Sequence, residues 1–404
     1  MATRKVYADN SSTSFPKAPG VSAAIKDFLD NIGCNVNRGG YADAYNVALD
    51  ILETRQLLAS MFHVGDPREV VFTPSTTYSL NMLLHGFLQS GDHIITTSME
   101  HNAVMRPLHA LAEKGVSYGA VPCDKNGLLD ADSITSAIKK ETRAVVMLHA
   151  SNVCGTVMPI AAVSEICEEH QIRLIVDAAQ TAGVIDIDAS KIDALAFAGH
   201  KGLLGPQGIG GFVIKKEFAD EVAPLITGGT GSLSHKTEQP DLLPDKFESG
   251  TMNIPAILGL KKAIEYINLV GMESILEKEL LLTSTFISAM KGIKGANVIG
   301  KDDTADRVAV VSVDFTGNDN AEIAAALDRD YGIMTRCGLH CAPIAHKTMG
   351  TYPHGTVRFS FGHFNTMDDV EYTVRSIKAI LKDEAQRKRA IPRPIPVRPE
   401  PLPR

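Results

Sequence analysis

Between residues 70 and 214, short apolar runs recur, each closing in a polar or glycine-rich turn. They are Glu69–Phe72, His93–Thr96, Ala144–His149, Arg173–Val176, Ala194–Ala198 and Gly211–Ile214. Within a run such as Leu174-Ile175-Val176, polar and apolar positions do not alternate, as expected of strands covered on both faces. Helical segments separate the runs. Strand–helix alternation on this scale predicts an α/β layer with a mostly parallel sheet. Ligands of such sheets gather at the carboxyl ends of the strands, so those ends are where chemistry is sought.

Beyond residue 214 the pattern changes. The stretch 215–260 is rich in Gly, Pro, Ser and Thr (Thr227-Gly-Gly-Thr-Gly-Ser, then Pro240 and Pro244) and reads as a long functional loop. A helix is expected from about Pro255 to Val270. Residues 271–381 read as a smaller α+β unit, with strands near Val308–Phe315, Ile333–Arg336 and Thr356–Ser360 and a last helix from about Met367 to Lys382. The division that follows is a large domain over 15–260, a small one over 1–14 and 261–384, and a tail over 385–404. Six of the fourteen residues from Ile391 to Arg404 are proline, which favours polyproline II or disorder in that tail.

Composition narrows the class. The 404 residues are 44% apolar and 22% charged, enough for a large core and unlike a collagen, a coiled coil or a disordered chain. No apolar run approaches the length of a membrane span. Residues Met1 to Asn10 lack a signal peptide's apolar stretch, so a cytoplasmic location is expected. Net charge is −7 and uneven. Residues 382–404 hold seven basic and three acidic side chains, leaving an acidic body that argues against nucleic acid as partner. Six cysteines occur without any C-x-x-C pair, so reduced thiols and no metal site are expected.

The strand ends carry the candidate chemistry. Asp177 follows Val176 in Asp177-Ala-Ala-Gln180; it is either a helix cap or a carboxylate awaiting a cation. Lys201 follows the next run, in Ala198-Gly-His200-Lys201-Gly202. A desolvated lysine there loses proton affinity and attacks carbonyls, although a lone lysine is usually a surface group. An acid on one strand end and a lysine on the next is what pyridoxal phosphate requires: a Schiff-base amine, and a carboxylate that keeps the pyridine nitrogen protonated. Phe72-Thr-Pro-Ser75-Thr76-Thr77 opens a helix and reads equally as an N-cap or a phosphate site. No dinucleotide or P-loop glycine motif is present. His101, in Glu100-His101-Asn102-Ala103, either shuttles protons over a ring or is structural. Asn152 follows the Ala144–His149 run. Cys341, in Arg336-Cys337-Gly338-Leu339-His340-Cys341-Ala342, reads as a reactive thiol or an inert buried one. Arg358, in Gly355-Thr-Val-Arg358, suits a carboxylate bidentately.

In this order, over roughly residues 6 to 380, these motifs resemble the class V aminotransferase family of fold-type I pyridoxal phosphate enzymes, and within it the cysteine desulfurases and selenocysteine lyases. The resemblance implies a mostly parallel seven-stranded sheet in the large domain and a homodimer. It implies that Lys201 forms the Schiff base, Asp177 meets the pyridinium nitrogen, Gln180 the ring oxygen, and that His101 stacks on the ring. Asn152 would contact cofactor or substrate. Thr76, Thr77 and His200 would hold the phosphate, with Thr251 reaching that of the other subunit. Arg358 and Arg336 would bind substrate, and Cys341 would accept sulfur. Ala198 departs from the family's usual hydroxyl there, and Cys337, four residues before Cys341, is open to a relay or a disulfide role. The implied reaction takes L-cysteine to L-alanine and leaves a persulfide on Cys341 for a thiol or an acceptor protein. Selenocysteine lyase, cystine or cysteine β-lyase, and ordinary aminotransfer are the alternatives within the fold. A scaffold acting through its tail is the one outside catalysis.

Overall fold

The computed structural model describes residues 4–36 and 40–390, with side chains to residue 384. In chain order the strands are β1 (Val6–Tyr7), β2 (Val70–Thr73), β3 (His93–Thr97), β4 (Ser117–Val121), β5 (Thr142–Leu148), β6 (Arg173–Asp177), β7 (Ala194–Ala198) and β8 (Gly210–Ile214). They continue with β9 (Ala296–Ile299), β10 (Val311–Phe315), β11 (Ile333–Met334), β12 (Arg336–Gly338) and β13 (Thr356–Phe359). Seven of these form one sheet in the order β2-β8-β7-β6-β5-β3-β4. It is parallel except for β8, which runs against both of its neighbours.

The sheet is covered on both faces. Leu195 and Phe197 of β7 enter a layer with Leu58, Phe62 and Ile257, while Ala194 and Ala196 enter the opposite layer with Leu80, Leu108 and Phe212. This explains why the central strands read as unbroken apolar runs. β4 escaped that signal because it is the half-exposed edge strand, with Ser117 and Ala120 open to solvent. The loop expected over 215–260 is interrupted by a short helix, Lys216–Glu221, before the helix Ile254–Val270 begins.

A four-stranded antiparallel sheet, β12-β13-β10-β9, packs on a third apolar cluster that includes Phe286, Phe315, Phe359 and Phe361. β1 lies parallel to β11, so the amino-terminal segment is built into the carboxyl-terminal half. Strand β9, Ala-Asn-Val-Ile, was not anticipated; only Ala296 of it is fully buried.

One expectation is corrected. Residues 385–390, read as the start of a disordered tail, continue the last helix, which runs Met367–Ala390. Lys, Gln, Arg and Ala in Lys382–Ala390 are strong helix formers, and the first obstacle is Pro392, which disfavours helix at the residue before it. Residues 391–404 lie outside the described residues.

Two devices shape the carboxyl edge of the large sheet. Gly210 on β8 has no Cβ; one built there would lie 2.7 Å from the Phe197 carbonyl and 3.3 Å from the Ser75 backbone. That closeness lets the helix Thr76–Phe87 start directly on the sheet. The outer edge of β2 is closed by side chains in place of another strand. Phe72 N–H donates to Glu248 Oε1 at 2.6 Å, Arg55 donates to the Val70 carbonyl, and Arg55 and Glu248 pair at 2.8 and 2.5 Å with both nearly out of solvent. The buried pair ties the segment leading to Thr251 to the strand leading to Thr76.

Candidate functional site

Eight of the predicted site residues line one cavity at the carboxyl edge of the sheet: Thr76, Thr77, His101, Asn152, Asp177, Gln180, His200 and Lys201. They arrive from five strand ends, those of β2, β3, β5, β6 and β7, as strand–helix topology dictates. Ala198 lines the same wall, so the hydroxyl missing there is missing from the site itself.

Ser75 caps the helix Thr76–Phe87, accepting from the Tyr78 N–H at 3.2 Å. Its first-turn amides and the two threonines give the cavity a positive, donor-rich end. His101 caps the helix Asn102–Ala112, its Nδ1 accepting from the Ala103 N–H at 3.0 Å. Nδ1 is therefore unprotonated and Nε2 carries the proton. Burial, with Lys201 and three arginines nearby, pushes its pKa down to about 4, so the ring is neutral at pH 7.

Asp177 is buried and accepts from the Ala179 N–H at 2.9 Å. Burial raises its pKa, and the backbone donor and Lys201 pull the other way. Burial pushes the Lys201 ammonium down to about 8, against the opposing pull of Asp177. A carboxylate and an amine, each desolvated and facing the same space, are the two groups whose ordinary ionisation is cheapest to alter.

Three buried wall atoms lack any hydrogen-bond partner: Thr76 Oγ1, Asn152 Oδ1 and His200 Nδ1. Orphaned polar atoms in a buried wall are costly unless a ligand answers them. A phosphate-bearing pyridine aldehyde fits this wall. The threonines, the helix amides and His200 suit its phosphate, Asp177 suits a ring nitrogen, and Lys201 suits its carbonyl.

The remaining predicted residues stand outside that cavity. Thr251 lines a separate depression with Phe72, Thr73 and Met252 and is exposed. Arg358, on β13, is almost fully buried. Its Nη1 donates to the Asn152 carbonyl at 3.0 Å, and its Nη2 donates to Asp9 Oδ1 at 2.9 Å and Ser12 Oγ at 2.7 Å. Arg336, opposite it on β12, has no carboxylate partner among the described residues; its Nη2 donates to Cys341 Sγ at 3.1 Å. Cys341 is an exposed free thiol, and Cys337 is also free. Side chains alternate along a strand, so Cys337 leaves the face from which Arg336 reaches Cys341 and lies toward Asp319 instead. That arrangement does not bring the two thiols together.

Asp9 and Ser12 were missed. The signal for them was the run Asp9-Asn-Ser-Ser-Thr-Ser14 straight after a strand, too polar to pack and too compact to be a linker. Ser11 donates its N–H to Ser360 Oγ at 2.9 Å, and Gln180 donates to the Ser11 carbonyl at 3.1 Å, so this run forms a bridge between the cavity and β13.

Residues 6–373 match the family model described as aminotransferase class-V. A probable cysteine desulfurase from Methanothermobacter thermautotrophicus is 31% identical over 93% of this chain and 94% of its own. One from Halobacterium salinarum is 32% identical over 92% and 90%. Among solved structures, the apo cysteine desulfurase of Thermococcus onnurineus superimposes with a TM-score of 0.88 at 31% identity, covering 94% and 95% of the two chains. A cysteine desulfurase of Escherichia coli does so with a TM-score of 0.84 at 28% identity over 94% and 95%.

Proposed function

Since this chain belongs to the class-V aminotransferase family, whose cofactor is pyridoxal 5'-phosphate, we propose that it is a cysteine desulfurase. It converts L-cysteine to L-alanine and takes the sulfur onto Cys341 as a persulfide. The observation that carries the reading is the conjunction of two sites. A buried amine and carboxylate share one cavity, and an exposed thiol hydrogen-bonded by an arginine is tied to that cavity's wall. A plain aminotransferase has no use for the second.

Thr76, Thr77 and His200 would hold the cofactor phosphate, Asp177 the ring nitrogen, Gln180 and Asn152 the ring oxygen, and His101 the ring plane, with Lys201 as the covalent anchor. When bound, the cofactor supplies an electron sink for charge released at the substrate Cα. The Lys201 amine takes the Cα proton and later returns it to Cα; its lowered proton affinity keeps a usable fraction neutral near pH 7. Arg336, with Arg358 behind it, orients the substrate carboxylate. Cys341 Sγ attacks the substrate sulfur: the Cβ–S bond breaks, an S–S bond forms, and Cβ gains a proton as alanine leaves. A thiol or an acceptor protein then removes the sulfur.

The active unit is a homodimer in which Thr251 completes the partner's phosphate site. Supporting this, Thr251 sits beside an apolar depression, and the helix Ala42–Met61 turns Tyr45, Leu49 and Leu52 outward. Spaced by three and four residues, these form one apolar stripe of the kind interfaces cover. The protein acts on a small amino acid, and no helix among the described residues is long and apolar enough to cross a membrane.

Incubation with L-cysteine under anaerobic conditions tests the proposal. Alanine formed in step with sulfur, and a persulfide on the Cys341 peptide by mass spectrometry, are expected. Pyruvate and ammonia instead would assign a β-lyase. A pH effect follows from Lys201. Only its neutral form attacks an aldehyde, and its pKa lies near 8. The rate at which cofactor-free protein takes up pyridoxal phosphate, followed by stopped-flow absorbance, should rise with pH and level off above about 8. A profile that climbs only near pH 10, where an ordinary lysine titrates, would remove the desolvated amine from the account.

A further inference from the structure

Cys341 sits on an unusual turn. His340 and Cys341 are consecutive non-glycine residues in the left-handed region, with φ of 50° and 58°. L-residues pay about 1 kcal/mol or more each to enter that region, and such geometry persists only where the surroundings hold it. The holders are few. Asn152 Nδ2 donates to the His340 carbonyl at 2.7 Å, and the Asn102 N–H donates to the Cys341 carbonyl at 2.7 Å. Thr356 Oγ1 bonds His340 Nε2 at 2.9 Å, and Ala342 N–H closes the turn on the Leu339 carbonyl.

Two of these anchors belong to the cavity's rim. Asn152 is 6% exposed and lines the cavity, and Asn102 directly follows His101. The backbone around Asn152 is itself clamped: its carbonyl accepts from Arg358 at 3.0 Å and the next carbonyl accepts from Ser312 Oγ at 2.7 Å. The amide of Asn152 therefore projects from a rigid base, and among the described residues its one donor contact is the turn that carries the thiol.

We propose that Asn152 is a positioning residue for Cys341: beyond its place in the cofactor cavity, its side-chain amide holds the strained His340–Cys341 turn and so sets where the sulfur-accepting thiol stands. The inference rests on the desulfurase reading for the meaning of that thiol, not for the contact itself. Asn152→Ala removes the contact. Asn152→Asp keeps the shape but replaces the donor with a carboxylate facing a carbonyl.

The test is alkylation of Cys341 by iodoacetamide in the purified full-length protein without L-cysteine, read peptide by peptide. Cys341 is the only exposed thiol among the described residues, which isolates the signal. Both variants should alkylate Cys341 about three- to tenfold faster than wild type, the loss of one hydrogen bond's restraint, while the thermal midpoint falls by no more than about 4 °C. Thr356→Val, which removes the His340 partner but does not line the cofactor cavity, should move the rate the same way. Rates within twofold of wild type in both Asn152 variants would overturn the proposal. Because no substrate is present, the result is independent of whether wild type forms alanine.

Discussion

Replacing Lys201 with alanine is expected to abolish the visible absorption of the lysine-bound cofactor and to lower alanine formation by at least about a hundredfold. The size of the effect follows from how few groups can substitute. Lys201 is the sole amine among the residues lining the cavity. Its neighbours His101 and His200 are held neutral, each with a pKa pushed down to about 4 by burial, and neither forms the covalent anchor. Lys201→Arg serves as the companion. It restores the positive charge that Asp177 feels, but a guanidinium neither condenses with an aldehyde nor deprotonates near neutral pH. Both variants should therefore lose the lysine-bound band while binding the phosphate end of the cofactor, since Thr76, Thr77 and the first-turn amides are untouched. A visible band in Lys201→Ala that borohydride fixes to the protein would sink the assignment of this lysine.

What the sequence revealed, and what it hid, divides by the range of the interactions. β6 and β7 were legible because both of their faces are buried, which forces continuous apolar runs. β4 and β9 were not, since an exposed edge tolerates Ser, Asn and Gly and leaves no run to read. The cavity residues were legible for a topological reason: each follows a strand end, and parallel topology gathers strand ends at one edge. Residues that act through long-range backbone contacts left no such trace. Asn152 and His340 are 188 positions apart, and Asp9 and Arg358 are 349 apart. Neither separation has a periodicity or spacing that announces a hydrogen bond. The extent of the last helix was misjudged for the opposite reason. A compositional change toward Arg and Pro was read as starting at residue 385, whereas helix-forming residues persist to Ala390.

The same division makes the second large effect specific. Cys341→Ser should stop persulfide formation and lower L-cysteine turnover by about a hundredfold or more, yet leave the cofactor's absorption in place. A serine hydroxyl is not ionised near neutral pH and does not attack sulfur at a useful rate, while its volume and its turn geometry are close to those of cysteine. Cys341 does not line the cofactor cavity, so nothing that holds the cofactor changes. Arg336 Nη2 would still meet the new oxygen, so any loss reflects the atom exchanged and not a collapsed turn. Cys337→Ser supplies the contrast. It stands one residue along β12 from Arg336 and points to the other face, so turnover should stay within about twofold of wild type. Mass spectrometry of the persulfide and quantified alanine read both variants. If Cys341→Ser released sulfide as fast as wild type, sulfur would be leaving the substrate without a protein acceptor. The arginine-bound thiol would then be incidental to a β-lyase. If Cys337→Ser were the inactive one, the alternation of β12 would have assigned the wrong thiol.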